Sequence, residues 1–164
     1  MKKLLLLLVC LPALAQNGFK SDDTGMVWQG VYSAENANIA AVLDKDPNLQ
    51  VGGFFDNMYK GIGNQIQNTC EGGTGLMKNR IKFEFIVLTD PNGYVVKVRN
   101  IKILEKYGPM QTRTVANPAE KYFMEGKVIK TDATSQENMA CLNNFLTGLF
   151  SPQPQSTGTA LTSN

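Results

Sequence analysis

Apolar and polar residues alternate most clearly in the middle of the chain, where two neighbouring segments have the pattern of β-strands. Between residues 80 and 89, four apolar residues follow one another on the same parity: Ile81, Phe83, Phe85 and Val87. This period of two is typical of a strand with one buried face. The segment 94–104 follows Asp90-Pro91-Asn92-Gly93, which suits a tight turn with a bulge at the glycine. We predict a long hairpin in which Asp90 faces Tyr94 and Ile81 faces Ile103.

The residues before this hairpin give weaker signals. Residues 26–32 are rich in aromatic and β-branched side chains, including Trp28, and predict a strand. Residues 36–43 have the spacing of a short amphipathic helix. Residues 49–59 are compatible with a buried loop, a strand or a helical turn, and 63–70 predict a weak strand that enters a glycine-rich turn at 72–75.

The last structured element predicted is a helix from Thr134 to Phe150. Thr134 and Glu137 fit a capping box, and Pro152 favours an end near Phe150. Its apolar stripe predicts the contact with a sheet, with Phe145 at its centre: Met139, Leu142, Phe145, Leu146 and Leu149. A short helix capped by Asn117 with Pro118 at its first position is expected before it.

The two ends of the chain have the composition of processed or disordered segments. Lys2 and Lys3 precede an apolar run of 12 residues, 4–15, which is shorter than the about 20 that cross a bilayer. This pattern predicts a signal peptide cleaved after Ala15 and a periplasmic or secreted protein without a transmembrane span. Lipidation at Cys10 is a weaker alternative. We expect a flexible leader at 16–25, one domain at 26–150 and a disordered tail at 151–164.

The order strand, helix, several strands, helix behind a signal sequence resembles a family of secreted Bacteroidetes domains of unknown function with a TATA-binding-protein-like (TBP-like), helix-grip fold. Three segments carry the resemblance: Val27-Trp28-Gln29-Gly30-Val31-Tyr32, Ile81-Lys82-Phe83-Glu84-Phe85-Ile86-Val87, and Asp90-Pro91-Asn92-Gly93-Tyr94 followed by Val96-Lys97-Val98-Arg99-Asn100-Ile101. The resemblance implies an α+β domain, with a curved antiparallel sheet of about four to five strands packed on a C-terminal helix. It brings no catalytic residues.

Composition excludes several classes of function. The chain has no His, so the commonest general base and metal ligand are missing, and no metal or cofactor is expected. Without the signal peptide, 14 basic residues balance 14 acidic ones, and only three of the basic residues are Arg. This neutral balance argues against nucleic acid as a partner and against a polybasic patch for anionic lipid.

Cleavage of the signal peptide leaves Cys70 and Cys141 as the remaining cysteines. In an oxidising compartment an even number of cysteines is compatible with a disulfide. Two unpaired thiols, with Cys141 packed on the helix, are the alternative. The sequence leaves both open, because it does not give the distance between the two Cα atoms.

No catalytic motif stands out. The glycines at 72, 73 and 75 lack the Gly-Lys-Ser/Thr of a phosphate loop, and no spacing selects a pair of glutamates for glycoside chemistry. Lys82, Glu84, Lys97 and Arg99 are interpreted as cross-strand charge partners on a solvated face. We therefore expect no enzyme, and a hydrolase that uses carboxylates instead of His is the alternative.

Binding is the function that remains. Tyr59, Tyr94 and Tyr107 lie beside glycine or turn residues and are the candidates for an exposed binding rim. The expected partner is an envelope protein, a glycan or a small apolar ligand. The sequence thus predicts an exported, non-enzymatic binding domain.

Overall fold

The computed structural model describes residues 17–152, so the expected signal peptide and most of the expected disordered tail lie outside the described residues. The strands are β1 (Gly18–Asp22), β2 (Gly25–Ser33), β3 (Leu49–Phe55), β4 (Met58–Gln67), β5 (Arg80–Asp90), β6 (Gly93–Tyr107), β7 (Arg113–Pro118), β8 (Met124–Glu125) and β9 (Val128–Ile129). The α-helices are α1 (Ile39–Leu43), α2 (Glu120–Phe123) and α3 (Ala133–Phe150), and 3-10 turns lie at Gly75–Lys78 and Pro109–Gln111.

Seven strands form one antiparallel sheet in the order β1-β2-β6-β5-β4-β3, with β7 paired to the second half of β6. The expected number of about four to five strands is therefore too low. Part of the predicted flexible leader, 16–25, forms β1. The segment 49–59, for which the sequence allowed a loop, a strand or a helical turn, forms β3 and the start of β4. Strand β7 occupies residues for which a loop and the start of a helix were predicted. Strands β8 and β9 form a separate small ribbon.

Strand β4 lacks an apolar alternation because glycines take two of its core-facing positions. Gly61 pairs with Phe85 and Gly63 pairs with Phe83. A Cβ at either glycine would overlap the ring of the paired phenylalanine. The two rings of β5 therefore fill the space over β4, and the buried face of β4 is hidden from a hydrophobicity pattern.

The predicted β5–β6 hairpin is present, but its register differs near the turn. Asp90 faces Gly93 instead of Tyr94, so only Pro91 and Asn92 lie in the turn. The extra residue expected at Gly93 lies further along β6, where Asn100 has a φ of 52° and the register shifts. The bulge adds to β6 the one residue that the shorter turn lacks. Beyond the bulge the register is therefore the predicted one, and Ile81 faces Ile103.

Helix α3 covers one face of the sheet, which we call the inner face. Phe150 is fully buried, with its ring centroid 5.6 Å from that of Phe85 and 6.2 Å from that of Trp28. Phe145 is only partly buried, so the predicted centre of the stripe is wrong. The helix is also capped differently, since Asp132 accepts a hydrogen bond from the Ser135 backbone N–H at 2.9 Å.

Three hydrogen bonds fix α3 over β2 and β6. Trp28 Nε1 donates to Asn143 Oδ1 at 2.8 Å, Tyr32 Oη donates to the Thr147 carbonyl at 3.0 Å, and Tyr94 Oη donates to the Phe150 carbonyl at 2.6 Å. Burial raises the pKa of Tyr94 to about 12. These bonds satisfy the polar ends of three large side chains whose rings belong to the core.

The short helix expected at Pro118 begins later. Pro118 ends β7 and pairs with Lys102, and α2 follows Ala119. Proline has no backbone N–H to donate. It can therefore end an edge strand as readily as it can begin a helix, because neither position requires a hydrogen bond from that N–H. No helix between residues 17 and 152 is long and apolar enough to cross a membrane.

A disulfide joins Cys70 to Cys141, with the Cα atoms 5.4 Å apart. It connects the glycine-rich turn after β4 to the middle of α3. Asn138 of the same helix accepts a hydrogen bond from the Thr74 backbone N–H at 2.7 Å, which holds the turn at a second point. Of the two alternatives that the sequence left open, the structure has the bridged one.

Candidate functional site

The face of the sheet opposite α3 is covered by no other element of the described chain, and we call it the outer face. Strand registers assign side chains to it: Glu84, Ile86 and Leu88 of β5 lie on the side opposite the buried Phe83, Phe85 and Val87. Lys97 and Arg99 of β6 lie on the same side. On this face the fold brings together side chains from different strands.

Basic residues are concentrated on the outer face. Of the 14 basic residues beyond the expected signal peptide, eight lie there: Lys20, Lys60, Arg80, Lys82, Lys97, Arg99, Lys102 and Lys106. By the same registers, three acidic residues lie on this face: Asp22, Glu84 and Asp90. The neutral total therefore conceals a basic surface, and the expectation that the chain has no polybasic patch is wrong.

The cross-strand charge partners expected from the sequence are present only in part on this face. Glu84 faces Arg99 across β5 and β6, but Lys82 faces Lys102. Arg99 instead bridges to Asp22 at 3.1 Å, which is the one ion pair among residues 17–152. Like charges directly opposite one another destabilise a sheet, so the pair Lys82–Lys102 is a cost to folding.

The acidic residues of the outer face accept hydrogen bonds from neighbours in the chain, and Asp90 accepts one from the Asn92 backbone N–H at 2.7 Å. The hydroxyl and backbone N–H of Thr24, together with Arg99, lower the pKa of Asp22. Glu84 accepts a hydrogen bond from Asn100 Nδ2 at 2.9 Å. The carboxylates of the outer face therefore already have donors from this chain, whereas Lys82 and Lys102 have no acidic partner.

A depression of about 430 Å³ lies at the centre of the outer face. Ile62 and Ile86 form apolar parts of its lining, and Lys60, Lys97 and Arg99 surround them. Arg99 Nε is buried without a hydrogen-bond partner. Glu84 belongs to the same lining, so a ligand that enters here meets apolar surface, three cationic groups and one carboxylate.

A second depression, of about 510 Å³, lies further along the same strands. Its lining contains the cationic side chains Lys78, Arg80 and Lys106 beside Gln65 and Gln67. Lys82 and Lys102 lie between the two depressions, because their positions in β5 and β6 fall between those of the two linings. Cationic groups thus continue along most of the length of β5 and β6.

The three tyrosines predicted as a rim do not form one. Tyr94 is only 1% exposed and belongs to the core, because its hydroxyl bonds to the end of α3. Tyr107 is 44% exposed at the opposite end of β6. Tyr59 packs against Phe54 with ring centroids 4.5 Å apart, on the inner side of the β3–β4 hairpin. Proximity to a turn therefore indicated exposure correctly for Tyr107 but not for Tyr94.

The acidic groups of the described residues show no converging pair of carboxyls with raised pKa. Burial alone would raise the pKa of Glu105, but hydrogen bonds from Tyr122, Tyr107 and Asn117 lower it below the ordinary value. The backbone N–H of Ser135 lowers the pKa of Asp132. Between residues 17 and 152, no group of three or more His, Cys, Asp or Glu has the arrangement of a metal site.

The comparisons with known proteins concern the fold. No protein-family model matches the chain, and no curated protein sequence matches it. A crystal structure of a TBP-like protein from Parabacteroides distasonis is similar over 80% of this chain and 94% of its own, with a TM-score of 0.50 and 13% identity. A DUF4468 family protein from Bacteroides ovatus is similar over 79% of this chain and 82% of its own, with a TM-score of 0.43 and 13% identity.

The chain therefore has a TBP-like α+β fold, as the sequence resemblance implied. At this level of identity the similarity concerns the fold alone. Sequence reasoning missed that Lys102 and Lys106 lie on the same face as Lys97 and Arg99, because the bulge at Asn100 changes the parity of the residues that follow it in β6.

Proposed function

We propose that this chain is an exported, non-enzymatic domain that binds an acidic partner on the outer face of its sheet. The observation that carries the proposal is the concentration of eight basic residues on a face that has three acidic ones. A surface with one sign of charge attracts partners of the opposite sign and increases their rate of association. Of the partners expected from the sequence, an envelope protein, a glycan or a small apolar ligand, the proposal keeps those that carry negative charge.

The pair Lys82–Lys102 supports a role in binding. Two lysines directly opposite each other on adjacent strands cost stability, and an acidic residue at either position would remove that cost. The repulsion between these lysines does not help the fold, and features that cost stability are common at functional sites. A partner that binds between the two lysines would relieve the repulsion. An acidic group placed between Lys82 and Lys102 would neutralise both.

The alternative, a hydrolase that uses carboxylates, has less support. Such an enzyme needs one carboxyl with a raised pKa close to a second that stays ionised. The carboxyl shifts resolved among the described residues are downward, at Asp22, Glu105 and Asp132. These groups accept hydrogen bonds within the chain, which is the usual state of structural carboxylates.

Binding to a model polyanion tests the proposal. The mature protein is titrated with dextran sulfate and with neutral dextran, and binding is followed by the intrinsic fluorescence or by calorimetry. We expect binding to dextran sulfate that weakens as salt is added, because exposed charges are screened. No difference between the charged and the neutral polymer would contradict the proposal.

A pair of variants locates the site. Lys97→Gln/Lys102→Gln removes two cations from the outer face, and Lys127→Gln/Lys130→Gln removes two cations that lie outside the main sheet. Both variants have the same net charge. Weaker binding by the first variant only supports the outer face, whereas equal effects would show that net charge alone drives binding.

Export is tested separately by the intact mass of protein released by a bacterial host. Cleavage after Ala15, leaving Gln16 as the first residue, is the expected result. A lipid attached at Cys10, or a retained leader, would contradict it.

A further inference from the structure

One end of the outer face carries a continuous row of apolar side chains. The registers place five residues side by side across five strands, and we call them the apolar row: Val31, Val95, Leu88, Met58 and Phe55. Phe55 is 77% exposed and Leu88 is 41% exposed. No element of the described chain covers this row, although it lies on the face that holds eight basic residues.

Cationic side chains form the adjacent row. Two residues further along the strands, Lys97 faces Ile86 and Ile86 faces Lys60. Two residues in a strand correspond to about 7 Å. A surface whose apolar row and whose lysines are rooted about 7 Å apart along the strands matches the boundary between acyl chains and anionic headgroups.

We propose that the outer face docks on an anionic lipid surface, with Phe55 and the apolar row entering the acyl-headgroup boundary and Lys60 and Lys97 contacting the lipid phosphates. This inference rests on the proposed function and names its acidic partner. Lysines also bury their apolar stems at such a boundary while the ammonium groups remain among the phosphates. The remaining cations of the face then attract the negative surface over a longer range.

Charge and side-chain type disfavour two other occupants. A second copy packed face to face would bring two sets of eight cations together. A sugar chain or a single-stranded nucleic acid would stack on aromatic rings, and Phe55 is the one aromatic side chain that the described registers place on this face. Docking on an anionic lipid surface would use both the cations and the apolar row.

Two acidic residues oppose the docking. Asp56 follows Phe55 in the β3–β4 turn, and Asp90 lies at the end of β5. Both lie at the same end as the apolar row, so they repel anionic headgroups where Phe55 would enter. Neutralising one of them, in Asp56→Asn, is therefore expected to strengthen binding to anionic vesicles by up to about fivefold.

Vesicle co-sedimentation tests the inference with the mature protein. Vesicles of phosphatidylcholine are compared with vesicles of phosphatidylcholine and phosphatidylglycerol, and dextran sulfate is titrated in parallel. We expect binding to the anionic vesicles and not to the neutral ones. Binding to dextran sulfate without binding to anionic vesicles overturns the lipid inference and leaves the proposed function in place; failure to bind either polyanion or vesicles overturns both.

Adjacent phenylalanines provide a matched pair of variants. Phe55→Ala removes the side chain on the outer side of the hairpin, and Phe54→Ala removes its neighbour, which is 58% exposed on the inner side. Phe55→Ala should weaken vesicle binding about tenfold, whereas Phe54→Ala should leave it nearly unchanged. Equal loss in both variants, or no loss in Phe55→Ala, overturns the docking geometry, and thermal unfolding verifies that both variants are folded.

Discussion

The two faces of the sheet use the same strands for opposite purposes. On the inner face, β5 presents Phe83, Phe85 and Val87 to α3, and each of them is at most 2% exposed. On the outer face, the alternate residues of β5 leave charged and apolar groups in solvent. The inner face therefore determines stability, while the outer face retains like charges that stability alone would remove. Substitutions on the two faces should separate folding from binding.

The largest effect is expected for Phe150→Ala on the inner face. Phe150 is fully buried against the rings of Trp28, Phe83 and Phe85. Truncation of a buried phenylalanine costs about 3–5 kcal/mol, which is much of the stability of a small domain. Urea denaturation monitored by circular dichroism measures the loss, with the exposed Phe55→Ala as the outer-face control. A loss below about 1 kcal/mol for Phe150→Ala would contradict the assignment of the core.

Removal of the disulfide is expected to have the next largest effect. The bond joins residues 71 positions apart, and disulfides that close such segments stabilise by about 2–4 kcal/mol. Cys70→Ala/Cys141→Ala should therefore lower the free energy of unfolding by this amount. The wild-type protein in a reducing agent is the matched control and should have the same midpoint as the double variant. A midpoint unaffected by the reducing agent would show that the bond contributes little.

The sequence predicted the inner face better than the edges of the sheet. Alternation in β5 identified Ile81, Phe83, Phe85 and Val87 as core residues because each of these positions carries a large apolar side chain. In β4 the corresponding positions are glycines that accommodate rings from β5, so no local pattern existed. Edge strand β1 has one apolar side chain, Phe19, and its pairing with β2 depends on tertiary context.

The outer face was predictable only in part, because its composition depends on register. Lys82, Lys97 and Arg99 were assigned to a solvated face from the alternation in β5 and β6. Their relation to Lys102 and Lys60 required the position of the bulge at Asn100 and the existence of the β3–β4 hairpin. The Asp56-Asn57 turn has φ values of 47° and 59°, which these residue types tolerate but do not require. An error of one residue in the register would assign every side chain of a strand to the opposite face of the sheet.

A pH dependence should identify the contact between β6 and the end of α3. The pKa of Tyr94 is raised to about 12 by burial, above the ordinary value of 10.0. The folded chain therefore holds this proton more tightly than the unfolded chain, and its contribution is complete below pH 10 and lost as the pH rises to about 12. We expect wild-type stability to fall by up to about 2 kcal/mol through this group over that range.

Tyr94→Phe is the control for this titration. At neutral pH it loses the hydrogen bond to the Phe150 carbonyl, which is worth about 1 kcal/mol. Because phenylalanine does not ionise, the advantage of the wild type should shrink as the pH rises from 10 to 12 and then reverse, so that Tyr94→Phe becomes the more stable protein. Urea midpoints measured at each pH test this, and a difference independent of pH would mean that Tyr94 ionises as easily in the folded as in the unfolded chain.

The smallest expected effect on stability is also the one that separates the two faces most clearly. Lys102→Glu replaces a like-charge pair by an opposite-charge pair with Lys82, which is worth about 0.2–1 kcal/mol on a sheet. The variant should therefore unfold at a slightly higher urea concentration than the wild type while it binds dextran sulfate more weakly. Lys102→Gln, which removes the repulsion without adding attraction, should fall between them in both measurements. A stabilised Lys102→Glu variant with unchanged binding would show that the outer face does not recognise an acidic partner. A gain in stability with a loss of binding would show that the sheet retains Lys102 for binding at a cost to its own stability.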